Sequence, residues 1–277
     1  MTVRPIYIAR QRNHAIGWQL PAFVHRLPAF AFDFAVVLSV VGVYFLLRGA
    51  APDRQAFATS VTEHIVSFEQ TLHIFWEPRI QELSIRYHPV QEVANFTYAY
   101  LHFPVLGAVG VWLWFRQRER FVFIRNVWFV SMLFGLVFYF AFPAAPPRLL
   151  AMNGIDLGFT DTVFGGNTAV NYAQPSLILN EYAAIPSFHF GWIALAAAAI
   201  WVNTDSRVLR GAGVGLAVLM TWAIVASANH FFFDMALGGV VIMVSWRIAA
   251  HIEARGMRRS DQVIAILPTS KEYFRAA

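Results

Sequence analysis

The 277-residue chain is 58% hydrophobic and 16% aromatic but only 13% charged, against about a quarter charged in a soluble domain, so the composition is that of a membrane protein. Cysteine is absent, which excludes a disulfide framework, thiolate chemistry and a cysteine metal site. The net charge of +5 is almost all arginine, with Lys271 the only lysine; the arginines sort along the chain by membrane side, so no nucleic-acid partner is expected.

Residues 1–28 are polar, interrupted by Pro5, Pro21 and Pro28, and lack the apolar core of a cleavable signal. They read as a cytoplasmic arm. A spanning helix needs about 20 mostly apolar residues. Six segments qualify, at 31–47, 90–115, 121–142, 188–202, 212–228 and 231–249. Between the first two, apolar Val61, Ile65, Phe68, Leu72 and Phe75 recur every three or four residues, with Glu63, Glu69 and Gln70 between them. That pattern predicts an amphipathic helix on the membrane surface, ended by Pro78. The predicted fold class is all-α: a six-transmembrane-helix bundle at 29–250 with one interfacial helix, followed by a cytoplasmic tail at 251–277.

The basic residues set the orientation. Sixteen of the 21 fall in the N-terminal arm, the loops after the second and fourth spans, and the tail. With six spans these regions share one face, the cytoplasmic one. Arg48, Arg54, Arg79, Arg86 and Arg148 fall outside. Both termini are then cytoplasmic in a multi-pass protein of the cell membrane.

Three polar motifs interrupt the apolar pattern, and this topology puts all of them on the outer face. They are Phe142-Pro-Ala-Ala-Pro-Pro-Arg148, Ala184-Ile-Pro-Ser-Phe-His189, and Asn229-His230 with Asp234. An ionisable residue in or near a bilayer is costly, which makes it a functional candidate. The i, i+4 spacing of His230 and Asp234 puts them on one helix face. A carboxylate there can hold one imidazole nitrogen and leave the other free to react. Phosphoryl transfer needs a nucleophile, a proton for the leaving oxygen, and cations or N–H donors for the phosphate oxygens. His230 backed by Asp234 suits the first role and His189 the second. Arg148 suits the third, together with Ser187 at a helix N-terminus. Asn229 and Tyr182 are further candidates for substrate contact, as is Asn180. His102 and Asn95 are expected to make interhelical hydrogen bonds, and Asp156 and Asp161 to be solvated loop acids. No cluster suggests a metal, and no cofactor is expected.

The motifs resemble the type 2 phosphatidic acid phosphatase superfamily of integral membrane enzymes. Its hallmark, Pro-Ser-x-His followed by His-x-x-x-Asp, is matched by Pro186-Ser187-Phe188-His189 and by His230 to Asp234. The run from Tyr182 to Trp192, the Ala145-Pro-Pro147 run and Asn229-His-Phe resemble the branch of inositol phosphorylceramide synthases and their bacterial relatives. The resemblance covers about 90–240. It implies a six-helix bundle, metal-independent catalysis, a phosphohistidine on His230, and lipid phosphate or phospholipid substrates. Two features depart from the superfamily's phosphatases. There is no Lys-x6-Arg-Pro motif, and the Ser-Arg pair expected before the last histidine falls at Ile224 and Val225. This favours transfer of a phosphoalcohol to an acceptor alcohol or lipid over ordinary hydrolysis. The alternatives are a lipid or polyprenyl phosphate phosphatase and, in another class, a non-catalytic lipid binder or flippase.

Overall fold

The computed structural model describes residues 26–266 except 166, 167 and 173, with side chains described through residue 256. The chain divides into two compact units, 1–38 and 39–277. The described part of the first is the leading half of helix α1, Leu27–Gly49. The second holds the rest of α1, then α2 Gln55–Thr71, α3 Glu77–Ile85, α4 His88–Tyr100, α5 His102–Arg116, α6 Arg118–Ala141, α7 Phe188–Asn203, α8 Arg207–Ala226 and α9 Phe232–Ile266. Among the described residues the protein is all-helical, with one isolated backbone bridge between Ala144 and Ala183.

Among the described residues four helices are long and apolar enough to cross a bilayer: α1, α6, α8 and the segment Phe232–Gly256 of α9. The predicted second span is broken. α4 and α5 meet at a 52° bend, and the cause is Pro104. It has no N–H to give the carbonyl four residues back, at Tyr100, so the helix cannot run through Leu101. The predicted fourth span, α7, has 16 residues, about 24 Å of helix against a hydrocarbon core of about 30 Å. The helix predicted over the interfacial stretch is two helices. Pro78 lies in the first turn of α3 rather than ending α2, because a first-turn proline sacrifices no helical hydrogen bond. α9 runs unbroken to Ile266, past the predicted span end at 249.

The outward faces of α6, α8 and α9 are apolar. Leu133, Val137, Val218 and Met243 are all exposed, a surface suited to lipid. Inside the bundle, close approach depends on small residues. A Cβ on Gly213 would press on the Ala197 backbone, and one on Gly191 would press on the Gly238 carbonyl. α7 packs against α5, α8 and α9, and α9 against α6. A second apolar cluster lies at one end, where Ala58 and Ile65 of α2 meet Ala144, Leu149, Tyr182 and Phe231. There α2 and α3 are fastened to the connecting loops. Thr62 Oγ1 donates to the Ala145 carbonyl at 2.9 Å. Gln81 Nε2 donates to the Thr160 carbonyl at 2.8 Å and its Oε1 accepts the Thr160 N–H at 3.0 Å.

Candidate active site

The three polar motifs meet at this end, joined backbone to backbone. Ala144 N–H donates to the Tyr182 carbonyl at 2.9 Å, joining the first motif to the second. Arg148 N–H donates to the Ala228 carbonyl at 2.9 Å, joining the first to the third. Ser187 N–H donates to the Asp234 carbonyl at 3.0 Å, joining the second to the third. Each bond satisfies a main-chain group at a helix end or turn that a dry site would otherwise leave unpaired.

α8 stops at Ala226 in a tight turn. Ala228 adopts a left-handed φ of 53°, and the Asn229 and His230 N–H groups turn back to the Ile224 carbonyl at 3.0 and 3.2 Å. This αL closure usually takes glycine. Here the alanine methyl is fully buried in the apolar cluster. The turn delivers His230 just before α9 begins, and Asp234 lies in the first turn of that helix.

His230 Nδ1 lies 3.3 Å from Asp234 Oδ2, which also accepts the Phe231 N–H at 3.0 Å. With Asp234 ionised its oxygen can only accept, which assigns the proton to Nδ1 and the lone pair to Nε2. Nε2 faces His189 Nδ1 at 3.4 Å, so His189 is the donor in that contact. Asp234 is wholly buried and His230 nearly so. The His189 ring is held between Tyr98, with centroids 4.3 Å apart, and His102, at 4.4 Å. Its Nε2 is buried with no hydrogen-bond partner among the described residues.

Arg148 is fixed by side chains on two sides. Nε donates to Asn229 Oδ1 at 3.1 Å and Nη1 to Asp161 Oδ2 at 3.1 Å. Its guanidinium lies over the Phe164 ring at 4.1 Å. Asn229 is itself oriented by Ser227, whose carbonyl and hydroxyl accept from Nδ2 at 2.9 and 3.0 Å. Asp161 is thus a paired, partly buried group rather than the solvated loop acid expected. Its other oxygen accepts the Val163 and Phe164 N–H groups and shapes the loop.

One cavity is lined by His230, His189, Arg148 and Asn229, and also by Arg48 and His102. Three of the candidate residues do not line it, Asp234 because it lies wholly buried behind His230. Ser187 is fully buried as the N-cap of α7, its hydroxyl accepting the Phe190 N–H at 3.5 Å. Tyr182 packs into the apolar cluster, where burial raises its phenol above the usual range. Asn180 does line the cavity. Asn95 binds the loop above, donating to the Thr162 carbonyl at 2.7 Å and to Thr168 Oγ1 at 3.2 Å.

Arg48 and His102 are the residues that motif reasoning left outside the site. Arg48 stands one residue past the apolar run of α1, a position that reads as a membrane-end anchor. Its Nη1 donates to the Ile178 carbonyl at 2.9 Å and its Nη2 to the Asn180 carbonyl at 3.2 Å. It therefore brings a second guanidinium to the cavity. Ile224 and Val225, at the positions of the missing Ser-Arg pair, are buried apolar residues.

The family model described as the PAP2 superfamily matches residues 63–248. Comparison with curated proteins and with solved structures gave no match. The matched span contains both histidines, Asp234 and Arg148, and covers most of the bundle that joins them. The chain belongs to the PAP2 superfamily.

Proposed function

We propose that the protein moves a phosphoryl or phosphoalcohol group from a lipid through a phosphohistidine at His230 Nε2. The observation that carries this reading is the line Asp234–His230–His189, with Arg148 beside it in one cavity. Asp234 holds the Nδ1 proton, so Nε2 keeps the lone pair that attacks phosphorus once the substrate displaces its contact with His189. As the N–P bond forms, the P–O bond to the leaving group breaks, and that oxygen takes a proton from His189 in its imidazolium form, leaving the neutral ring. His189 Nδ1 then accepts the proton of an incoming hydroxyl, whose oxygen attacks phosphorus and releases His230. Arg148 and Arg48 stabilise the charge on the non-bridging oxygens. Guanidinium groups in a largely dry cavity can supply this without reorganising.

The acceptor we favour is an alcohol, as in inositol phosphorylceramide synthases. Support comes from the missing lysine motif and from apolar Ile224 and Val225. Hydrolysis by water is the second reading, favoured by membership of a superfamily of phosphatase-type lipid enzymes. A binder or flippase would need cations but no buried carboxylate behind an imidazole.

In this reading α4–α5 form one broken span and α7 another, making six, with α2 and α3 at the interface and the site facing outward. On this topology the 16 residues of α7 are too few to span, so His189 at its start would lie below head-group level. A lipid phosphate then reaches it by sinking into the outer leaflet. The test is turnover by the purified protein on a panel of lipid phosphates and phospholipids, with and without acceptor lipids. Release of inorganic phosphate alone supports the second reading. Acceptor-dependent product supports the first, and wild-type turnover in His230→Ala contradicts both.

A further inference from the structure

The first turn of α9 leaves backbone N–H groups that need acceptors, as every helix start does. The usual acceptor is a short polar side chain at the cap, but the residue before α9 is Phe231. Acceptors come instead from two other helices. Glu77 Oε1, at the start of α3, accepts the Phe232 N–H at 2.9 Å. Glu69 Oε1, near the end of α2, accepts the Phe233 N–H at 2.6 Å. Asp234 takes the Phe231 N–H. Three successive amides beside His230 are thus held by three carboxyl groups. The α2 pattern marked Glu69 as part of a polar face, yet both glutamates have zero exposure.

Both Oε2 atoms are buried and receive no N–H or hydroxyl among the described residues. No ion pair to either glutamate is present among those residues. Two buried, unpaired carboxylates side by side would repel each other and Asp234. One proton held between them removes a charge and gives both bare oxygens a partner. Glu69 is accordingly pushed up to about 9 by burial, then by its hydrogen bond to Glu77 and that group's charge, with a smaller push from Asp234. The Phe233 N–H opposes the shift.

We infer that Glu69 and Glu77 form a proton-sharing carboxyl pair that fixes the His230–Asp234 turn, and so are positioning residues for the reaction at His230. The inference rests on the reading of His230 as nucleophile. The folded protein keeps the Glu69 proton from about pH 4.5, the ordinary value, to about 9, while the unfolded chain has lost it. Stability from this pair is therefore full below pH 4.5, falls as pH rises through that window, and levels off above about 9. Activity is lost at the upper end, where the second charge pushes the pair apart.

Glu69→Gln separates positioning from simple packing. Its amide oxygen can still accept from Phe233 and its NH2 can donate to Glu77, with no proton at position 69 left to titrate. The measurements are melting temperature from pH 5 to 9.5 and kcat and KM at pH 7 and 9.5, for wild type, Glu69→Gln and Glu69→Ala in detergent. The expected result is a shallower fall of melting temperature with pH in Glu69→Gln than in wild type. Its kcat should stay within about threefold of wild type at pH 7 and exceed it at pH 9.5. Glu69→Ala should lose at least about tenfold in kcat with KM within about twofold. Equal pH slopes in wild type and Glu69→Gln, or a kcat in Glu69→Gln as low as in Glu69→Ala, would overturn the pairing. If Glu69→Ala fails to fold, the Glu69→Gln comparison still decides. If wild type turns over no lipid phosphate, the proposed function fails, while the melting curves still judge the pair.

Discussion

At the residue scale the cavity pairs the groups proposed to contact phosphate with side chains that hold them. Arg148 is held by Asn229 and Asp161, so its planar fork is oriented before substrate arrives. Lysine keeps the charge but not the fork. Arg148→Lys should lower kcat/KM by about tenfold to a hundredfold, the worth of about 1.5–3 kcal/mol for a hydrogen bond to a charged group. Asn229→Ala should cost less and act through the same contact, so the double variant should fall short of the product of the two, a steady-state measurement. His189→Ala should reduce kcat by about 10² to 10⁴. As a cluster of neighbours, His230, Asp234 and His189 were legible in the sequence because their signals are local: an i, i+4 pair and a Pro-Ser-x-His run. Arg48, Glu69 and Glu77 were not. Each acts across more than a hundred residues of chain, and their neighbours carry only the periodicity of an anchor or a surface helix.

At the element scale the site depends on how closely helix ends approach. A Cβ at Gly238 would collide with the carbonyl oxygen of Ser187, which lies directly before the start of α7, the helix that carries His189. Gly238→Ala should therefore destabilise the protein by about 1–3 kcal/mol, the range for overpacking, and lower kcat with it; thermal melts and kinetics on one preparation check both. Ala228 presents a different constraint. Its left-handed backbone tolerates alanine at modest cost but penalises a β-branched residue far more. Ala228→Val should lose more stability than Ala223→Val five residues back in regular helix, if both are measured by denaturant unfolding. Helix existence was readable from apolar runs of spanning length. The break at Leu101 was not taken from Pro104, nor the start of α3 from Pro78, because proline marks both helix ends and helix starts and only packing decides which.

At the scale of the whole molecule, the arginines around the α5–α6 and α7–α8 connections and the candidate site lie at opposite ends of the bundle. Arg116, Arg120, Arg207 and Arg210 flank helix ends remote from the three motifs. By the positive-inside tendency the cavity should face out. The natural absence of cysteine makes this simple to test. Met152, 72% exposed in the loop after Arg148, should react as Met152→Cys with an impermeant thiol reagent on intact cells. Asp205, 95% exposed at the other end, should react as Asp205→Cys only after permeabilisation. The reverse pattern would invert the orientation without touching the chemistry. The number of spans was only partly legible, since a bent pair and a 16-residue helix satisfy hydropathy without satisfying length. The chemistry itself is tested most directly by rapid quench of the purified protein with a lipid substrate radiolabelled at phosphorus. A protein-bound label that is acid-labile and base-stable, present in wild type and absent in His230→Ala, is the predicted result. Label retained in His230→Ala, or full turnover with no labelled protein at any quench time, would contradict His230 as the attacking residue.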